Sequence, residues 1–202
     1  MGRERLTVYT IGHSNHPIER FIGLLDGAGI KSVTDVRTAP VSRYCPQFNK
    51  APLTASLKAQ GIGYDFAGDV LGGRPKDESL WRDGRPDYHR MIATEGARVA
   101  LEGVASRTAT APLAMMCSEK EPLECHRCLM VARKLAAEGV DVLHILADGS
   151  IEPQANTEDR LMAWADKRQP ELFQTPAERL ASAYEARADW LWQTGPSKSR
   201  RR

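Results

Sequence analysis

The chain has 202 residues, 42% hydrophobic and 27% charged, and 28 Lys and Arg against 26 Asp and Glu leave a formal net charge of +2. Such a composition supports a buried core and excludes a disordered chain, and the length suits one domain, or one domain with an appendage. Four positive residues fall in the terminal KSRRR, so the body is near neutral and offers no broad basic surface for coating nucleic acid.

No segment approaches the roughly 20 apolar residues of a membrane span, and the start, MGRERLTVYTIGHS, has no apolar signal region. The expectation is a cytoplasmic chain with no membrane partner. In that compartment the four Cys are reduced and serve chemistry or packing rather than disulfides.

LTVYTIG, residues 6–12, is β-rich and almost continuously apolar, as a buried strand is. Residues 14–30 follow as a helix, with Phe21, Leu24, Leu25 and Ala28 as the apolar stripe and Gly29 as the stop. KSVTDVR (31–37) is a second strand, which makes a β-α-β unit with a right-handed crossover. Residues 51–61 predict a short helix and IGYDFA (62–67) a third strand. Residues 68–88, with Gly72, Gly73, Pro75, Gly84 and Pro86, read as a long surface loop in which the Gly-Gly pair gives flexibility. A single helix is expected over 88–106, a fourth strand over 111–117, a helix over 125–138 and a fifth strand over 140–146.

This alternation predicts an α/β fold, a mainly parallel five-stranded sheet flanked by helices. The pattern stops after Gly149. Two further helices, 156–169 and 175–193, make a C-terminal helical extension. The expected organisation is an α/β domain over 1–150, the extension over 151–193 and a basic disordered tail over 194–202.

In open α/β sheets ligands bind beyond the carboxyl ends of the strands. Strand one ends in Gly12-His13-Ser14. Strand two ends in Asp35-Val36-Arg37, followed by Pro40, Ser42 and Arg43. Strand four ends in Cys117-Ser118-Glu119, and the next helix begins at Cys125-His126-Arg127. Parallel strands bring these groups to one edge. Arg37 and Arg43 suit an anion. Asp35 is better placed to orient Arg37 than to act as a base. His13 is a catalytic candidate or a structural hydrogen-bonder.

The stretch CSEKEPLECHRC, Cys117 to Cys128, holds three of the four Cys and admits several readings. On a helix, Cys125, Cys128, Ala132 and Leu135 share the spacing of a core face, so both thiols could be plain packing. Cys117, Cys125, His126 and Cys128 have the residue types of a zinc site. Against it, adjacent Cys125 and His126 diverge by about 100° on a helix. Cys125-His-Arg-Cys128 at a helix start is also a C-x-x-C redox candidate. The fourth reading is an anion pocket at a helix N-terminus, with free N–H groups, Arg127 as a donor fork, His126 as acid or base and a Cys thiolate. A phosphatase Cys-x5-Arg loop is excluded, because Leu123 stands six residues after Cys117.

TIGHS, DVRTAPVSRYCPQFN, LGGRP and MCSEKEPLECHR, followed by a helix and GVDVLHI, together resemble the family named domain of unknown function 488 over about residues 6–146. The resemblance implies an α/β fold and a cluster at Gly12, His13, Ser14, Asp35, Arg37, Pro40, Ser42, Arg43, Cys117, Glu119, Cys125, His126 and Arg127, without an established reaction. Cys128 departs from the family pattern.

The expected protein is an enzyme with an Arg/His/Cys pocket acting on an anionic small molecule, a nucleotide or a nucleic acid end. Cys117, Glu119, Cys125, His126 and His13 are its catalytic candidates, and Ser14, Asp35, Arg37, Ser42, Arg43 and Arg127 its substrate-binding ones. No metal ligand set and no cofactor are assigned. The alternatives are a ligand- or zinc-binding module without turnover and a thiol redox protein.

Overall fold

The structure is a computed structural model and describes residues 6–169 and 174–194. The basic tail expected over 194–202 lies, apart from Thr194, outside the described residues.

One sheet organises the fold. Its strands are β1 (Thr7–Gly12), β2 (Ser32–Asp35), β3 (Gly63–Phe66), β6 (Leu113–Cys117), β7 (Asp141–Ile145) and β8 (Ile151–Pro153), in the order β3-β2-β6-β1-β7-β8. All neighbours are parallel except β7 and β8. The sheet therefore has six strands rather than five. The extra strand begins where the sequence pattern stops, in a three-residue antiparallel edge. β1 and β2 are parallel but not adjacent, because β6 returns between them. β4 (Trp81–Arg82) and β5 (Arg85–Pro86) form a separate small hairpin.

Side chains of a strand alternate between faces. Ile11, Val33, Ala114, Met116 and Ile145 pack with Phe21, Leu24 and Leu25 of α1 (Ile18–Gly27) and with Leu53 and Leu57 of α2 (Lys50–Ala59). Val8, Leu113, Met115, Cys117 and Val142 point to the other face, where they meet Leu101 and Val104 of α5 (Glu95–Thr108) and Val131 and Leu135 of the helix after Cys125.

Three expected elements are built differently. The 68–88 loop is folded: α3 (Gly68–Leu71) opens it, and Gly72 and Gly73 are buried. The 88–106 helix is two, α4 (Tyr88–Ile92) and α5, because Thr94 turns extended and its hydroxyl caps Ala97 N. The 125–138 helix starts two residues late. Cys125 is extended (φ −138°, ψ 138°), Arg127–Ala132 is a π-helical run, and α6 (Arg133–Ala137) completes it.

α7 (Gln154–Trp164) and α8 (Pro176–Thr194) pack over that π-helical run, with Leu161, Ala183 and Tyr184 against Leu123, Cys128 and Leu129. A buried chain of hydrogen bonds ties them to the sheet: Thr10 to His144 (2.6 Å), His144 to Gln154 (2.7 Å), Gln154 to Tyr184. Among the described residues no helix is long and apolar enough to cross a membrane.

Candidate active site

The ends of β1, β2 and β6 are level. Gly12 pairs with Cys117, His13 N donates to Cys117 O (2.9 Å), Ser14 N to Ser118 O (2.9 Å) and Val36 N to Met116 O (3.0 Å). The sequence-predicted residues meet along this carboxyl edge, but they divide into two groups on opposite faces of the sheet.

The first group lies on the α5 face. The thiols of Cys117 and Cys125 both contact one oxygen, Glu119 Oε2, at 3.0 and 3.2 Å. His126 Nδ1 faces the same two sulfurs at 3.7 and 3.9 Å, and its Nε2 lies 2.9 Å from Val36 O. A carbonyl only accepts, so Nε2 carries a proton, and Nδ1 is the ring nitrogen that faces the thiols. Cys117 and Cys125 are buried; Glu119 and His126 are half-buried.

Local geometry makes this convergence. Because Cys125 is extended and precedes the helix, it and His126 do not splay by a helical step, which corrects the spacing argument against a shared ligand. Gly73 packs on the imidazole so closely that a Cβ there would sit 2.7 Å from His126 Cγ. At Gly12 a Cβ would fall 1.9 Å from Glu119 O, so only glycine admits the loop that carries the carboxylate. Gly72 and Gly73 thus permit close approach, not flexibility.

Arg127 lies beneath this group, fully buried. Its Nη1 donates to Glu119 O and its Nη2 to Lys120 O (3.2 Å), while its Nε finds no partner. Both η nitrogens are thus engaged by the loop and the side chain is out of reach of solvent, against the expectation that Arg127 binds an anion. The free helix N–H groups are likewise taken: Arg127 N donates to Cys125 Sγ (3.4 Å), and Cys128 N and Leu129 N to Cys125 O.

Three acids share this buried space and cannot all ionise in it. Burial pushes Cys125 up, but the hydrogen bond with Cys117 and the charges of Arg127 and His126 outweigh it and hold it well below the usual thiol range. Burial and the neighbouring Cys125 sulfur hold Cys117 well above that range. Glu119 is raised by burial and by Cys125. Burial lowers His126, but Cys125 and Glu119 reverse the direction. Tyr88 is raised by burial and by the charges of Cys125, Glu119 and Cys117, which marks it as a neighbour that the sequence did not single out.

The second group lies on the α1 face. Arg37 is buried and pairs with Asp35 (Nε to Oδ1 2.9 Å, Nη2 to Oδ2 2.6 Å), donates to Phe48 O (2.8 Å), and contacts His13 Nε2 through Nη1 (3.2 Å). Tyr64 adds its hydroxyl to Asp35 (2.9 Å). Asp35 therefore orients Arg37, and the Arg37 fork is consumed as well. Arg37 can only donate, so His13 Nε2 accepts and its Nδ1–H goes to Ser14 O (2.7 Å). Burial, then Arg37, lowers His13 to about 4. Both nitrogens are engaged and the ring stacks on Phe48 at 4.3 Å, so His13 is held in place on the face opposite the thiols.

The remaining candidates are peripheral. Ser14 adopts a left-handed conformation (φ 49°) and bonds Asn15. Ser42 stays in its own turn, accepting from Tyr44 N and Cys45 N. Arg43 is exposed, over the Tyr44 ring. Cys128 packs with Leu129 and Tyr184, apart from the other thiols, which removes it from both the zinc set and the redox pair. Two surface concavities, about 460 Å³ beside Asp141 and Glu158 and about 510 Å³ beside Trp81, lie away from both groups.

Fold and site together describe an α/β protein with a buried Cys/Glu/His centre at the carboxyl edge of a mainly parallel sheet. The family described as Domain of unknown function DUF488 matches residues 17–134, more than half of the chain, and the chain belongs to that family. The matched segment contains the whole Cys117–Arg127 loop and Arg37; it begins after His13 and Ser14. Comparison with curated proteins and with solved structures finds no match.

Proposed function

We propose that the protein is an enzyme whose reacting groups are Cys117, Glu119, Cys125 and His126, and that its substrate is anionic, a nucleotide or a nucleic acid end. One observation carries the reading: two thiols meet a single carboxylate oxygen and a single imidazole nitrogen at the sheet edge where α/β proteins place their chemistry. A packing role asks for none of this; buried thiols satisfy packing as small apolar groups. The anionic substrate is supported by Lys120 and Arg74, exposed and each one residue from a member of the centre's wall, Glu119 and Gly73. Arg37 and Arg127 are buried, whereas Lys120, Arg74 and Arg43 are exposed.

The test is turnover of a panel of phosphoesters, nucleotides and short oligonucleotides by the full chain. Glu119→Gln and Cys125→Ser should each lower any turnover found by at least a hundredfold, the lower end of the range for positioned acid–base groups. A panel compound turned over equally by both variants would place the chemistry elsewhere.

A further inference from the structure

We propose that the centre holds a divalent zinc-class cation, with Cys117 Sγ, Cys125 Sγ and His126 Nδ1 as its protein ligands and Glu119 beside its fourth position. The inference rests on the proposed function only in using the same residues.

Three donor atoms lie within 4.8 Å of one another. Zinc–sulfur bonds of about 2.3 Å and zinc–nitrogen bonds of about 2.0 Å, set at the tetrahedral angle, give sulfur–nitrogen edges of about 3.5 Å. The two edges here are 3.7 and 3.9 Å, within a few tenths of that value. Glu119 does not fit as a fourth ligand of the same tetrahedron. Its oxygen lies 3.0 and 3.2 Å from the sulfurs, shorter than the edge of about 3.6 Å that co-ligands would make. It stands beside the ligand set, against both sulfurs, rather than in it.

The imidazole is prepared in the manner of a metal ligand. Its far nitrogen donates to a backbone carbonyl, Val36 O, which fixes the tautomer and the ring plane. Gly73 leaves the space that the ring occupies, since a Cβ there would lie 2.8 Å from Nδ1. Charge points the same way. Two thiolates balance a divalent cation, and the buried Arg127 balances the Glu119 carboxylate, so the loaded centre is close to neutral.

Three protein ligands and an open position are the pattern of catalytic rather than structural zinc. A glutamate two residues after a ligand, itself unligated, handles the proton of the bound water in zinc-dependent deaminases. Glu119 stands two residues after Cys117. The substrate class this implies is one attacked by water at an electrophilic carbon or phosphorus.

The experiment is elemental analysis of the full chain purified without chelator, followed by zinc titration of the chelator-treated protein and by cobalt replacement. One zinc per chain is expected, with thiolate-to-cobalt absorption in the near ultraviolet. Cys125→Ser and His126→Ala should weaken zinc binding by more than tenfold, whereas Cys128→Ser and Glu119→Gln should retain one zinc per chain. Failure of the folded full chain to take up zinc would overturn the proposal, as would loss of zinc in a folded Cys128→Ser protein. Turnover by metal-free protein would leave the enzyme reading and remove the metal; a zinc-loaded protein that turns over none of the panel would do the reverse.

Discussion

His144 makes the fold acid-sensitive by a calculable amount. Its ring is fully buried between Thr10, whose hydroxyl donates to Nδ1 (2.6 Å), and Gln154, whose oxygen accepts from Nε2 (2.7 Å). Burial, then the Arg127 charge, lowers it from 6.5 to about 4, against the raising effects of Gln154, Glu152 and Glu121. Above pH 6.5 the ring is neutral in both folded and unfolded chains, and stability is complete. As the pH falls from 6.5 toward 4, the unfolded chain takes up a proton that the folded chain refuses, and stability is lost. At 1.36 kcal/mol per pH unit the full loss is about 3 kcal/mol, and between pH 7.5 and pH 5 it is about 2 kcal/mol. His13, also lowered to about 4, adds a second contribution of the same sign. Urea unfolding of the parent and of His144→Gln, at pH 5 and pH 7.5, isolates the first. The glutamine can still bond both neighbours, and the comparison uses the change with pH rather than the absolute stability. The parent should lose about 2 kcal/mol more than the variant over that interval. Equal losses would refute the neutral buried ring.

Other perturbations separate the centre from its supports. Gly73→Ala, whose Cβ would meet the His126 ring at 2.7 Å, should cost about 1–3 kcal/mol of stability and weaken zinc binding at least tenfold, read by urea unfolding and by zinc titration. Arg37→Met leaves Asp35 buried beside Tyr64 without its partner; it should cost about 3–5 kcal/mol in unfolding free energy, with zinc stoichiometry unchanged wherever the variant folds. Thr94→Ala removes the cap of α5 and should cost about 1 kcal/mol with no effect on zinc, a control for stability alone.

Strand and helix alternation was legible because β1, β6 and β7 are short, largely apolar runs and the helices between them carry apolar stripes. What the pattern hides is local. β8 has three residues and ends in a proline, too little for any periodicity. Cys125 reads as helical because the apolar spacing continues through it, yet the chain turns extended there to bring its sulfur onto Glu119. The residue types at the edge were also legible, but their partners were not. Arg37 and Arg127 carry the donors an anion needs, and only the fold shows that a carboxylate two residues away and backbone carbonyls claim them. The support of His126 by Val36 spans 90 positions of the sequence, a contact that no spacing rule contains. Opposite faces for His13 and Cys117 follow from strand parity once β1 and β6 are aligned, which needs the sheet order.

The most direct measurement is X-ray absorption at the zinc edge of the full-length protein. A shell of two sulfurs at about 2.3 Å with one nitrogen and one further light atom at about 2.0–2.2 Å is the predicted result. A shell without sulfur, one with three sulfurs, or a protein that carries no zinc would contradict the assignment of Cys117, Cys125 and His126 as the working centre.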